Sequence, residues 1–278
     1  MTAVRKTEKL AHAAARLGQW LRRPQALPEK GLYALGLRSA AGLRLPDFLG
    51  IGAQKAGTTW LHQNLARHPD VYFPPGRKEI RFFDARFYLS VREYAELFAP
   101  AGPRRTGDIT PNYGALRPGR IRFVHRLLPR ARLLLILRNP IERAWSHAVM
   151  DLATTRGRPL EEVPAWELEA HLRSAGSRRN GGYAAMLDRW LAVFPREQLL
   201  VAFFEEIQER PRELLLRVFE HLDLRRDVDL EGFPWRERIH PGPAEEVPPE
   251  RRALLEELYR GEIRELAARL GGPARSWR

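Results

Sequence analysis

The chain has 278 residues, 44% of them hydrophobic, which suits one large α/β domain with a full core and excludes a disordered tail. It contains no cysteine, so disulfides and thiolate metal sites are excluded. Lysine and arginine outnumber aspartate and glutamate by 47 to 34, a formal charge of +13, which fits either a surface that attracts polyanions or an arginine-rich composition with no such partner.

Residues 3–22 read as a helix, with Leu10, Ala14, Leu17 and Leu21 at three- and four-residue spacing and arginines between them; Pro24 and Pro28 are expected to end it. That helix either packs on the domain or lies on an anionic membrane surface. Residues 1–45 are read as a helical extension and 46–278 as a single domain. The N-terminal stretch lacks the long apolar run and small-residue cleavage site of a secretory signal. No apolar run approaches the roughly 20 residues that cross a bilayer. With cysteine absent, the expectation is a cytoplasmic protein.

From Pro46, "PDFLGIGA" reads as a buried strand, followed by a glycine-containing loop and a helix from Thr58 to Arg67. "RKEIRFF" is a short strand or extended segment. "RRTGDITPNYG" is another strand, with Asp108 and Thr110 near its end. The clearest strand is "ARLLLILRNP", an apolar run of the kind buried on both faces of a parallel sheet; it stops at Arg138, and Pro140 opens a helix. Ala184–Pro195 is helical, Glu197–Glu206 a strand and Arg210–Leu224 a helix. The Pro- and Gly-rich stretch from Asp227 to Pro249 is a long loop before a last helix that runs to Gly271. Alternating strands and helices predict a P-loop-type three-layer α/β/α domain around a mainly parallel sheet.

The loop "GIGAQKAGTTWL", Gly50–Leu61, departs from G-x-x-x-x-G-K-[ST]. Gly57 is followed by Thr58 and Thr59, and the lysine, Lys55, comes two residues before that glycine. A glycine loop entering a helix offers backbone N–H groups and a positive dipole end to an anion. A magnesium nucleotide would want a carboxylate after the neighbouring apolar strand, where this chain has Arg138. A cation there suits a second phosphate, so the pair reads as a site for a nucleotide with two separate anionic groups.

This combination resembles the sulfotransferases that use 3′-phosphoadenosine 5′-phosphosulfate (PAPS), in "QKAGTTWL" and "RNPIERAWSHAV", over roughly Phe48 to Leu224. The flavour is that of the carbohydrate and bacterial members. The resemblance implies that Lys55, Ala56, Gly57, Thr58 and Thr59 hold the 5′-phosphosulfate, with Lys55 on the bridging oxygen. It implies that Arg138 and Ser146 hold the 3′-phosphate. "RKEIRFFD" gives Glu79 as general base, and "DITPNYG" places Asp108, Thr110 and Tyr113 beside the acceptor. Tyr183 would touch the nucleotide. Trp60 has two readings, stacking on adenine or filling the core behind the loop. "RERIHPGPAEE" would close over the nucleotide with Arg238 or His240. The sequence departs from the carbohydrate pattern at Ile109, where a lysine is common, and at Arg81, where a histidine is common.

The implied reaction moves a sulfuryl group from PAPS to a hydroxyl or amine of a carbohydrate, lipid or small molecule and leaves adenosine 3′,5′-bisphosphate. It uses no metal and no nucleic acid partner. The arginines of Leu160–Asn180 are expected at the acceptor cleft and suit an acidic glycan or lipid head group. Two other readings stand beside it. One is a P-loop nucleotide kinase, for which Asp108 is the candidate metal carboxylate; the other is a non-catalytic polyanion-binding protein. His62 and His147 are read as packing or surface residues.

Overall fold

The computed structural model describes residues 18, 25–237 and 246–277. The expected helix over residues 3–22 lies outside them apart from Gly18, as do Arg238 and His240.

Five strands form one parallel sheet: β1 (Phe48–Gly52), β2 (Val71–Tyr72), β3 (Arg105–Ile109), β4 (Arg132–Leu137) and β5 (Leu199–Phe203), ordered β2-β3-β1-β4-β5. β1 is buried along its whole length and β4 at all but its first residue. Burial on both faces is why these strands read as continuous apolar runs. Strand order reverses about β1, so the loops leaving the C-terminal ends of β1, β3 and β4 converge on one edge. Ligands in open parallel sheets occupy such a crevice.

The helices in chain order are α1 (Ala26–Ala34), α2 (Thr58–Leu65), α3 (Val91–Glu96), α4 (Pro118–Leu127), α5 (Pro140–Val149) and α6 (Ala165–Leu172). They continue with α7 (Ala175–Gly181), α8 (Tyr183–Leu191), α9 (Phe204–Glu209), α10 (Pro211–His221) and α11 (Pro249–Leu270). They enclose the sheet in a three-layer arrangement. α1, α4, α8, α11 and α5 pack each against the next. Just past α2, the ring of His68 meets Phe219 of α10 at 4.7 Å. No helix among the described residues is long and apolar enough to cross a membrane.

Pro28 sits in the first turn of α1, where its missing N–H removes no intrahelical bond; the end expected for the 3–22 helix lies outside the described residues. Residues 77–83 form no strand: Arg81 has φ +62°, which breaks the extended run, and its N–H goes to Thr110 Oγ1 at 3.2 Å instead of to a ladder. The edge strand is the two-residue β2, too short to announce itself by alternation.

Candidate active site

β1 delivers the chain into the loop with the Ala53 N–H bonded to Ile136 O of β4 at 2.7 Å. Ala56 N–H then turns back to Ala53 O at 3.2 Å. Lys55 and Gly57 both take left-handed conformations, φ +67° and +87°. For a non-glycine such as Lys55 that geometry costs about 1–3 kcal/mol and persists only where the surroundings impose it. A β-carbon on Gly57 would lie 2.4 Å from Ile207 Cδ1 and 3.3 Å from the Phe204 ring, so glycine lets α9 close against the loop. α2 then starts at Thr58 with no side-chain cap and no acidic residue in its first turn. Its leading N–H groups and dipole therefore remain available to an anion.

Arg138, at the end of β4, donates from Nη1 to the Lys55 carbonyl at 3.3 Å. Its Nε pairs with Glu142 Oε2 at 3.2 Å, and its guanidinium lies 4.6 Å from the centre of the Phe204 ring. Burial, and then the charge of Arg138, lower the pKa of the Lys55 ammonium. α5 is started by Asn139, whose side chain accepts from Ile141 N–H at 3.0 Å, and by Pro140. Ser146 lies further along this helix, half-buried.

The segment after β2 supplies the other wall. Lys78 Nζ donates to Thr59 Oγ1 at 2.7 Å and stands 3.9 Å from Glu79 Oε1. Burial lowers the Lys78 pKa, Glu79 opposes that shift and Lys55 reinforces it. The Glu79 side chain is 37% exposed. Beneath it, Asp108 is fully buried and accepts from Thr110 Oγ1 at 2.7 Å, Tyr113 Oη at 2.8 Å and Tyr94 Oη at 2.9 Å. Burial raises its pKa to about 6 against the pull of these hydrogen bonds.

The structure thus brings Lys55, Ala56, Gly57, Thr58, Thr59 and Arg138 around one helix end, with Glu79 at its margin. Other expected residues stand apart from it. Asp108, Thr110 and Tyr113 have no solvent exposure and bond to one another, holding the floor under the 80–84 segment rather than facing a ligand. This enclosure also removes Asp108 as the metal carboxylate that the kinase reading required. Tyr183 is buried behind Arg138, and that burial pushes its phenol pKa up. Trp60 is 3% exposed and its indole N–H donates to the Trp235 carbonyl at 3.0 Å, which favours the core-filling reading. His62 and His147 are each held to about 4, chiefly by burial, as packed neutral imidazoles.

Sequence reasoning missed Lys78 and the pair Asn180–Gln54, whose amides bond at 3.1 Å and tie α7 to the loop. The signal for Lys78 was present: it precedes Glu79 directly. Next to these residues opens a cleft of about 650 Å³, lined by Asp84, Asn112, Arg117, Arg120, Arg179 and Asn180.

The profile of the sulfotransferase domain matches residues 45–231. The chain is 32% identical over 211 residues to heparan sulfate glucosamine 3-O-sulfotransferase 6 of Homo sapiens, covering 73% of this chain and 60% of that one. It is 28% identical over 285 residues to the human bifunctional heparan sulfate N-deacetylase/N-sulfotransferase 2, covering 84% of this chain and 31% of that one. The chain therefore spans less than two thirds of the length of these relatives. Among solved structures, a sulfotransferase from Alicyclobacillus acidocaldarius superposes with a TM-score of 0.64 at 28% identity, covering 84% of this chain and 98% of that one. Mouse sulfotransferase SULT7A1, crystallised with PAP, shares the fold with a TM-score of 0.53 at 16% identity, covering 84% of this chain and 88% of that one. The chain belongs to the sulfotransferase family.

Proposed function

We propose that this chain transfers a sulfuryl group from PAPS to a hydroxyl or amine of an acceptor, releasing adenosine 3′,5′-bisphosphate. The observation that carries the reading is the uncapped, acid-free N-terminus of α2 flanked by Lys55 and Arg138. The donor set is cations, amide N–H groups and hydroxyls, which fits a doubly phosphorylated nucleotide. Bound PAPS supplies an activated sulfur whose leaving group is a phosphate oxygen.

In this account Gly57, Thr58 and Thr59 orient the 5′-phosphate through backbone N–H groups and hydroxyls. Lys55 lies on the same loop, and its ammonium neutralises the negative charge that gathers on the bridging oxygen as the S–O bond breaks. Stabilisation of that kind is worth about 3–4 kcal/mol per well-placed donor. Arg138 and Ser146 take the 3′-phosphate, and the Arg138–Lys55 bond fixes the distance between the two ends. Glu79 takes the acceptor proton; its exposed carboxylate is accessible, whereas Asp108 is enclosed. The arginine-lined cleft receives the acceptor and favours one that carries anionic groups, such as an acidic glycan.

Incubation with sulfur-labelled PAPS and a panel of acidic and neutral glycans and lipids tests the reading. The expected result is label on an acidic acceptor together with stoichiometric adenosine 3′,5′-bisphosphate. Absence of both products with every acceptor, from protein that binds no PAPS, contradicts it.

A further inference from the structure

We infer that Lys78 supplies a second ammonium group to the sulfuryl end of the donor site and sets the direction of the Thr59 hydroxyl. The inference rests on the PAPS reading above and adds a residue to it.

A lysine ammonium has three hydrogens and no acceptor. At 2.7 Å from Lys78 Nζ, Thr59 Oγ1 is therefore the acceptor, and its own hydrogen is free to be donated elsewhere. Thr59 is the second residue of α2, so its hydroxyl joins the N–H groups of that uncapped turn. Glu79 Oε1, at 3.9 Å, is within ion-pair range of Lys78 but too far for a hydrogen bond. Two of the ammonium hydrogens remain beyond the one given to Thr59.

Lys78, Lys55 and Arg138 all border the positive end of α2, from three separate segments of the chain. Lys78 is 29% exposed; burial chiefly lowers its pKa, Glu79 opposes that shift and Lys55 adds to it. Glu79 stands beside Lys78, and Glu142 and Glu205 stand near Arg138. Gathering three cations at a helix dipole's positive end is unfavourable unless an anion enters among them. Lys78 comes from the segment after β2 and Lys55 from the loop after β1, close enough for each charge to be felt by the other. In transfer, the acceptor oxygen bonds to sulfur as the bond from sulfur to the phosphate oxygen breaks. Glu79 takes the acceptor proton, so the step requires no proton from either lysine.

A purely structural Lys78 would only tether the 78–84 segment to α2. Calorimetric titration of PAPS and of adenosine 3′,5′-bisphosphate, which lacks the sulfuryl group, separates the two roles. Lys78→Gln keeps a donor for Thr59 and removes the charge; it is expected to weaken PAPS by about tenfold or more and the bisphosphate by less than about threefold. Lys78→Arg is expected to recover most of the loss, and circular dichroism of both variants checks the fold. Equal weakening of the two nucleotides, or of neither, overturns the inference while the PAPS reading stands. Should the unmutated protein bind neither nucleotide, the PAPS reading falls, and this inference with it.

Discussion

Arg138 Nη1 sits 3.3 Å from the Lys55 carbonyl and so joins two motifs 83 residues apart in the chain. The bond makes the strand-end arginine part of the loop's own support as well as a binding cation. Its second pairing, to Glu142, and its packing on Phe204 hold the guanidinium plane in place. Arg138→Ala is expected to weaken adenosine 3′,5′-bisphosphate by about 10- to 100-fold, the loss of a charge-assisted pair. Arg138→Lys should recover little, because a point charge replaces a planar fork. Calorimetry of the two variants checks both outcomes.

Gly57 tests the loop's shape separately from its charge. Gly57→Ala imposes a left-handed alanine at φ +87° and pushes a β-carbon against Ile207. The strain is on the order of 1–2 kcal/mol. The expected outcome is a lower Tm and weaker nucleotide binding together, read by thermal unfolding with and without adenosine 3′,5′-bisphosphate.

Glu79→Gln should leave nucleotide affinity within about twofold and slow transfer by roughly 10²–10⁴-fold, as expected for loss of a general base. Steady-state rates with labelled PAPS check it. An unchanged rate would assign the acceptor proton to another group.

Asp108 gives a pH signature of the fold. Its pKa is raised, to about 6 from 3.8, so the folded state holds its proton more tightly than the unfolded state. Stability from this group is therefore full below about pH 4 and declines as pH rises through about 6. The difference corresponds to on the order of 2–3 kcal/mol. Denaturant unfolding of the wild type and Asp108→Asn at pH 4.5 and 6.5 should show a smaller loss in the variant over that interval. Parallel slopes would contradict the assignment.

The parts legible from sequence were those with a one-dimensional signature. β1 and β4 announce themselves because strands buried on both faces are apolar throughout. The anion loop is readable because its glycine and the uncapped helix start are consecutive in the chain. What escaped depends on contacts between distant segments. Trp60 cannot be known to bond the Trp235 carbonyl until the loop after Leu224 is placed. Lys78 looks like one more charge in "RKEIRFF" until Thr59 is set against it. The same segment reads from sequence as strand or extended, but its conformation is broken at Arg81, whose N–H goes to the Thr110 hydroxyl. The position of Asp108 near a strand end says nothing about Tyr94, which arrives from α3 to enclose it.

The proposed donor site is a cation-and-amide pocket that takes a nucleotide with anionic groups at both ends, with Lys55 and Arg138 bordering it. Its most direct test is calorimetric titration of the wild-type chain with adenosine 3′,5′-bisphosphate in the presence of a chelator. The expected result is one site per chain, undiminished by the chelator and weakened at least about tenfold by Arg138→Ala. No binding until magnesium is added, or binding of magnesium-ATP in place of the bisphosphate, would contradict it.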